Sequence, residues 1–330
     1  VPEPPTNRRR SSHHKRRSLT KSTIARDMMN KLGSLHPKVY SDAKLLIDGM
    51  HRSAVTWPEQ WLTALDTASR AQQMNERDSV IKLIQNVFDL IETPKCELDQ
   101  LFKRYYGATL QRCRLNFEKY KQGTDPTIHR AMWDGFRAVY SEMDSKIKKM
   151  VYVQLSKVSE ELSNMRNFSL SIPGTYSVDQ NSPQLDYIDP TLKVLNSQQH
   201  PRAVYMIDTQ GNRYKFLLKG NEDLRLDQRI MQFFNLINSL LRNNRNTADL
   251  KVGIIDYSIV PFAPNAGLIT WVTGADTFQQ LVTDYRLYRD IHLNVELEIA
   301  QQFSGGVFNS LSALQRYEVY NNVAKETNAI

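Results

Sequence analysis

A lysine and three carboxylates lie close together in the second half of the chain. Lys219 follows a run, residues 213–218, in which apolar and polar side chains alternate as in a half-buried strand. Three acidic residues come within the next eight positions, as at a helix start: Glu222, Asp223 and Asp227. A lysine fixed at a strand end and held by a carboxylate can face a phosphate, as phosphoryl transfer requires. The alternative is an exposed lysine at a strand end, beside acidic residues that are stabilised at the start of a helix by the helix dipole.

The elements around this lysine predict a mainly antiparallel sheet with one inserted helix. Strand-like runs lie at 191–195, 203–207, 214–218, 253–260 and 267–272. From Glu222 onward apolar residues recur at three-and-four spacing, which predicts the inserted helix: Leu224, Ile230, Met231, Phe234, Ile237, Leu240 and Leu241. After Thr277 a second such series predicts a helix that extends to Val295: Leu281, Tyr285, Tyr288, Ile291 and Val295.

The first half of the chain is predicted to be helical. Residues 23–56 repeat apolar groups at helical spacing, and four amphipathic patterns follow with short links between them: 57–74, 78–92, 96–120 and 126–149. Four such helices make an antiparallel bundle. We expect Trp57 and Trp61 to pack in its core. The fold class is therefore α+β, with an all-α bundle ahead of the sheet.

Composition and charge narrow the function classes. The net charge is +8, but residues 1–22 hold seven Lys or Arg against one Glu, so this segment carries +6 and is expected to be disordered. We therefore expect no specific nucleic-acid binding, while anionic lipid and nuclear import stay open for this segment. Cys96 and Cys113 cannot form a disulfide framework, which favours a cytosolic location. The longest uncharged run, residues 257–275, contains prolines and is not a membrane span, and no histidine spacing indicates a metal site.

Residues 217–232 closely resemble the N-lobe signature of the phosphatidylinositol-kinase-related protein kinases, and the target of rapamycin (TOR) kinases are nearest. Further matches occur in the right order at 172–176, 190–202, 257–261, 267–272 and 284–286. The resemblance implies the end of a FAT helical region at 23–56, an FKBP-rapamycin-binding (FRB) bundle at 57–149, a kinase N-lobe with hinge at 150–276 and the start of a C-lobe at 277–330. Because the chain lacks an initial methionine and stops after a helical pattern, both ends look like cuts in a longer protein.

The resemblance also implies site residues. Lys219 would contact ATP phosphates, and Asp227 with Tyr257 would hold it, so Lys219 and Asp227 are the catalytic candidates. Trp271 and Val272 would form the hinge that receives adenine. The other implied nucleotide contacts are Leu195, Leu217 and Ile269 as apolar walls, and Ser197 and Pro201 in the phosphate-facing loop at 197–202. Thr270 stands where TOR kinases often carry glycine.

In the bundle, the resemblance implies a drug pocket made by two helix faces: Leu65, Ser69, Gln73, Trp133, Arg137 and Tyr140. Gln73 and Arg137 occupy positions where TOR bundles usually present aromatic rings. The predicted partner, the immunophilin–rapamycin complex, is therefore expected to bind weakly.

The implied activity is that of a serine/threonine protein kinase that uses ATP with Mg²⁺, acts on protein substrates and assembles with TOR-complex scaffold subunits in the cytoplasm, with endomembrane association open. Neither a Gly-Asp-Arg-His-x-x-Asn nor an Asp-Phe-Gly sequence occurs between Val1 and Ile330. We therefore expect this segment alone to be inactive and the magnesium ligands to lie beyond residue 330. A non-catalytic scaffold that binds partners or lipid, and the related kinase of nonsense-mediated decay, are the alternatives.

Overall fold

The structure is a computed structural model that describes residues 21–123, 125–176, 181–305 and 308–327. Residues 1–20 of the predicted basic segment lie outside the described residues, while its last two residues, 21 and 22, begin the first helix, so the expected disorder is wrong for them. The chain divides into two compact units, one ending at Trp271 and one starting at Val272. No helix among the described residues combines the length and apolarity needed to cross a membrane.

Six helices come first in the described chain, and the last four form the predicted bundle. They are α1 (Lys21–Leu35), α2 (Pro37–Ala54), α3 (Trp57–Gln73), α4 (Arg77–Glu92), α5 (Glu97–Gln122) and α6 (Pro126–Lys148). Two of the starts are fixed by side chains. Thr56 and Glu59 form a capping box at α3, and the Asp125 carboxylate accepts the Thr127 N–H at 2.8 Å ahead of α6.

Aromatic side chains fill the bundle core. Trp61 is 1% exposed and meets Phe88 edge-on, with ring centroids 5.1 Å apart. Phe88 in turn lies 5.7 Å from Phe117 and 6.3 Å from Phe136. Trp57 is buried as well. The predicted core positions of Trp57 and Trp61 are thus confirmed, and the bundle owes its shape to interlocking rings.

Two short helices, α7 (Leu155–Val158) and α8 (Glu160–Asn164), lie between the first and second strands of a seven-stranded sheet. Its strands are β1 (Tyr152–Gln154), β2 (Leu185–Ile188), β3 (Thr191–Val194), β4 (Arg202–Asp208), β5 (Arg213–Gly220), β6 (Ile259–Ala263) and β7 (Ala266–Thr270). They lie in the order β1-β3-β4-β5-β7-β6, and β2 pairs with β4. Every one of these pairs is antiparallel, which confirms the predicted sheet.

The strand predictions were right for β3, β4, β5 and β7 and differed elsewhere. β1 and β2 were not predicted, because three or four residues are too few for an alternation to show. The predicted strand at 253–260 is wrong over most of its length, since β6 begins at Ile259. The Asn238 side chain bonds both the N–H and the C=O of Ile254 at 2.8 Å, so this backbone pairs with a helix side chain instead of a strand.

The helix inserted between β5 and β6, α9 (Arg225–Asn243), confirms the predicted helix but starts three residues later than Glu222. Asn221 has φ 60°, a left-handed conformation that asparagine tolerates and that cannot continue into a helix. The Asp223 carboxylate then accepts the Arg225 N–H at 3.1 Å. A four-residue helix, α10 (Arg245–Ala248), follows.

The second unit contains α11 (Phe278–Tyr288), α12 (Val295–Ser304), a 3-10 turn (Phe308–Ser310) and α13 (Ala313–Thr327). The prediction of one helix through Val295 is wrong. Asp290 has φ 57°, and the Ile291 N–H returns to the Arg286 carbonyl at 2.8 Å. This is a Schellman-type ending, which stops α11 before the apolar series is complete.

Two glycines allow segments of the first unit to approach closely. A Cβ at Gly220, the last residue of β5, would lie 2.2 Å from the Ala54 carbonyl oxygen at the end of α2. Gly174 has φ 80°, and a Cβ there would lie 2.4 Å from Cβ of Ser258. Neither position accepts a side chain without moving backbone. The sheet therefore rests directly on the end of α2.

One buried ion pair joins the bundle to the sheet. Arg202, the first residue of β4, is fully buried, and its Nη2 lies 2.5 Å from Oε2 of Glu59 on α3. The same oxygen accepts the Thr56 N–H at 2.9 Å and the Thr56 hydroxyl at 2.7 Å. Arg202 also donates to the His200 carbonyl at 2.6 Å. The first turn of the bundle and the start of a central strand thus share one carboxylate.

We predict that Glu59→Ala destabilises the chain by about 3–5 kcal/mol, because a buried guanidinium loses its charge partner. Urea unfolding of the 330-residue chain measures this. Asp144→Ala is the matched control, since Asp144 pairs with exposed Lys148 and its loss should cost no more than about 1 kcal/mol. Equal effects of the two substitutions would contradict the role given to Glu59.

Candidate functional site

Strand β5 presents two different faces. Phe216 and Leu218 are buried in the hydrophobic core shared with α2. Lys215, Leu217 and Lys219 alternate with them and are half-buried. Successive side chains of a strand point to opposite faces, so these three residues share the face away from the core. We call it the outer face.

Strand β7 extends the outer face. Leu217 lies opposite Ile269, and Lys219 lies opposite Gly267. The pairing continues one step past the strand, where the Trp271 N–H donates to the Lys215 carbonyl at 3.0 Å. Cross-strand partners share a face. Lys219 therefore marks one end of the outer face, Trp271 marks the other, and half-buried aliphatic side chains lie between them.

The ammonium of Lys219 is held by Glu222. Lys219 Nζ lies 2.8 Å from Oε2 of Glu222, and both side chains keep about 30% of their surface exposed (28% and 32%). Within the described residues, Lys219 makes no hydrogen bond to Asp227 or Tyr257. The structure thus brings the predicted lysine to a carboxylate, but to Glu222 and not to Asp227, which the family resemblance implied. The signal was present in the sequence, because Glu222 is the first acidic residue after the turn.

Asp223 points its charge elsewhere. Its carboxylate receives the Arg225 side chain at 2.6 and 2.8 Å as well as the Arg225 backbone N–H. These bonds lower the pKa of Asp223 from 3.8 to about 2. Asp223 stays ionised and occupied at the start of α9. Of the first two acids, Glu222 alone is paired with Lys219.

The loop between β3 and β4 holds three more of the predicted site residues. The Leu195 N–H donates to the Pro201 carbonyl at 2.9 Å, and the Ser197 N–H donates to the Leu195 carbonyl at 2.9 Å. His200, with φ 44°, bonds back to Ser197 at 3.0 Å. The loop is thus a tight, internally bonded turn. It leads into Arg202, whose burial fixes where the loop ends.

The side chains of the outer face match the chemical groups of a nucleoside triphosphate. An ammonium lies at one end, aliphatic Leu217 and Ile269 lie in the middle, and an indole lies at the other end. The ammonium can bind phosphate, the aliphatic side chains can pack against the sugar, and the indole can stack on a purine. Val272 begins the second unit. The described residues contain no group of three or more His, Cys, Asp or Glu side chains that could hold a metal ion.

A second candidate site lies in the bundle. A cavity of about 550 Å³ opens between α3 and α6, and all six predicted pocket residues line it: Leu65, Ser69, Gln73, Trp133, Arg137 and Tyr140. Trp133 is half-buried against the bundle core, 6.2 Å from Phe136. Its indole N–H donates to Nε2 of His129 at 3.1 Å, which fixes the ring.

Polar residues that sequence reasoning missed close the walls of this pocket. The Tyr140 hydroxyl donates to the Asp66 carboxylate at 3.2 Å. Burial is the larger cause, and the negative charge of Asp66 the smaller cause, of a raised pKa of Tyr140. Arg137 bonds Asp134 on its own helix at 2.6 Å and keeps 71% of its side chain exposed. Asp66 and His129 lie one helical turn from Ser69 and Trp133, so the spacing could have indicated both.

Comparisons with known proteins match these two regions. The FKBP12-rapamycin binding domain model matches residues 49–145, and the phosphatidylinositol 3- and 4-kinase model matches residues 213–327. The first region contains the bundle pocket. The second contains β5 and β7, which carry the outer face, and α9 between them.

Curated relatives extend over nearly the whole chain. The serine/threonine-protein kinase TOR of Oryza sativa is 32% identical over 313 residues, 94% of this chain and 13% of that protein. The kinase tor1 of Schizosaccharomyces pombe is 30% identical over 92% of this chain and 13% of its own length. The kinase SMG1 of Danio rerio is 24% identical over 75% of this chain and 8% of its own length. The chain thus spans about an eighth of the length of its TOR relatives.

Proposed function

We propose that this chain, which belongs to the TOR kinase family, is the nucleotide-binding part of a serine/threonine protein kinase that transfers the γ-phosphate of ATP to protein substrates. The observation that carries the proposal is the outer face, with Lys219 at one end and Trp271 at the other. Its residues come from strands on both sides of α9. A helix inserted between these strands is the arrangement that a kinase N-lobe requires.

Four residues of the outer face have proposed parts. Lys219 meets the phosphate charge, Trp271 offers an aromatic surface to adenine, and Leu217 with Ile269 excludes water from the base and sugar. Glu222 and Asp227 are two candidates for the carboxylate that orients Lys219. Glu222 has the direct contact, and Asp227 lies two residues inside α9.

Mg²⁺ would neutralise charge developing on the transferred phosphate. The 330 residues contain neither of the two loop sequences that place the acceptor hydroxyl and this ion. We propose that the carboxylates that orient the acceptor hydroxyl and bind Mg²⁺ come from a part of the longer protein outside this chain. Transfer of phosphate would then require that part together with the outer face described above.

We predict that Lys219→Met in the full-length protein reduces phosphoryl transfer to background while thermal unfolding of the variant stays unchanged. The half-exposed ammonium carries no core packing, so its loss should affect chemistry alone. Kinase assays on a protein substrate measure the effect. Near-normal turnover in this variant would overturn the proposed nucleotide site, whereas a lack of turnover in the unchanged full-length protein would favour the scaffold alternative.

A second pair of variants decides which carboxylate orients Lys219. If Glu222 performs this task, Glu222→Gln should lower kcat by about tenfold or more and Asp227→Asn should change it less. One decade corresponds to about 1.4 kcal/mol, close to the lower end of the range of about 1.5–3 kcal/mol for a hydrogen bond to a charged group. The reverse order would assign the task to Asp227 and show that the contact in this structure changes when ATP binds.

The bundle pocket supports a second proposal, binding of the FKBP12–rapamycin complex in a weakened form. The pocket keeps Ser69 and Trp133, but Gln73 and Arg137 stand on its walls in place of apolar surface. Covering Arg137 with an apolar drug would also cover its contact with Asp134, which adds a desolvation cost. Each missing aromatic contact should cost roughly 1.5–3 kcal/mol.

We predict that Gln73→Phe with Arg137→Tyr strengthens this binding by about two to four orders of magnitude, since two contacts are gained at 1.4 kcal/mol per decade. Calorimetry of the 330-residue chain with drug-loaded FKBP12 is the measurement. Ser69→Phe, which fills the pocket, is the negative control. A nanomolar complex with the unchanged sequence would show that Gln73 and Arg137 do not limit binding.

Further partners are proposed at the level of class. TOR-complex scaffold subunits would bind the longer protein, and the basic segment before residue 21 would add attraction to anionic lipid. We propose a cytoplasmic location, on endomembranes where that attraction is strong enough. Nuclear import of the basic segment remains the competing use.

A further inference from the structure

The hinge end of the outer face contains a lysine that the proposed kinase chemistry does not use. Lys215 Nζ lies 3.4 Å from the centroid of the Trp271 ring, so its ammonium sits on the face of the indole. The backbone enforces this neighbourhood, because the Trp271 N–H donates to the Lys215 carbonyl at 3.0 Å. A cation on the face of an indole is attracted by the negative face of the ring.

Lys215 belongs to a row of cations and aromatic rings across the sheet. Its ammonium also lies 5.9 Å from the Tyr205 ring, and Arg213 lies 4.4 Å above that same ring. Tyr205 is the cross-strand partner of Lys215. Among the described residues no carboxylate lies within ion-pair distance of Lys215. The aromatic rings are therefore the interaction partners that hold this ammonium.

We infer that Lys215 is a positioning residue for the nucleotide base: it fixes the plane of the Trp271 indole and covers one of its faces, so that the purine stacks on the other. The inference rests on the proposed ATP site and adds a residue to it. Lys219 and Lys215 then serve opposite ends of one nucleotide. They are four residues apart on one strand, about 13 Å at the rise of a β-strand.

The first test reads the indole directly in the 330-residue chain. Near-UV circular dichroism of Trp271→Phe, subtracted from that of the unchanged chain, isolates Trp271 from the other three tryptophans. The Trp271 band should fall by at least half in Lys215→Met, which keeps an unbranched side chain one atom shorter and without charge. It should persist in Lys215→Arg, because a guanidinium also stacks on aromatic rings. Equal bands in Lys215→Met and the unchanged chain would overturn the inference.

The second test reads nucleotide binding in the full-length kinase. Lys215→Met should raise KM for ATP two- to fivefold, about 0.4 to 1 kcal/mol at 1.4 kcal/mol per decade, with kcat changed less than twofold. Lys215→Arg should restore KM. Lys103→Met, an exposed bundle lysine, is the control for loss of charge. A merely structural role would lower stability without separating KM from kcat.

The outcomes separate this inference from the proposed function. An unchanged or lower KM in Lys215→Met, while Lys219→Met is inactive, would overturn only the role of Lys215. A lower KM would mean that Lys215 occupies the ring face that the purine needs. Normal turnover in Lys219→Met would remove the nucleotide site itself, and the role of Lys215 with it.

Discussion

The buried pair of Glu59 and Arg202 is the constraint on which the arrangement of the first unit depends. One carboxylate oxygen closes the capping box of α3 and also neutralises a guanidinium that is shut off from water. A buried charge without its partner is far more costly than the pair is favourable. The bundle and the sheet are therefore held in one relative position, because any displacement would separate the buried Arg202 charge from Glu59.

The position of the outer face depends on this pair. Arg202 begins β4, β4 pairs with β5 from Leu218 back to Arg213, and β5 pairs with β7. Gly220 adds a second fixed point where β5 meets the carbonyl of Ala54. Lys219 is therefore fixed on two sides: Gly220 packs against the Ala54 carbonyl, and β5 pairs with the strand that begins at the buried Arg202. A lysine so placed has little freedom except in its own side chain, which electrostatic preorganisation requires.

Much of this architecture could be predicted from the sequence, because the hydrophobic periodicity of its helices and longer strands is visible in the local sequence. Features that depend on distant partners could not. Asn238 satisfies the backbone of Ile254, so an apolar run that looked like a strand needed no strand partner. The turn at Asp290 ended α11 inside an unbroken apolar series. Lys219 was predicted from its strand end, whereas its contact with Glu222 depends on how the Asn221 turn folds.

The buried pair also affects how the two candidate sites in the first unit could communicate. Leu65 and Ser69 of the bundle pocket lie on α3, the helix that Glu59 anchors to β4. Coupling through the protein requires an element with two arrangements of similar energy. A helix whose first turn is fixed by a buried ion pair lacks a second arrangement of that kind. We therefore expect a ligand in the bundle pocket to affect the outer face by the space it occupies, because the junction between them resists rotation.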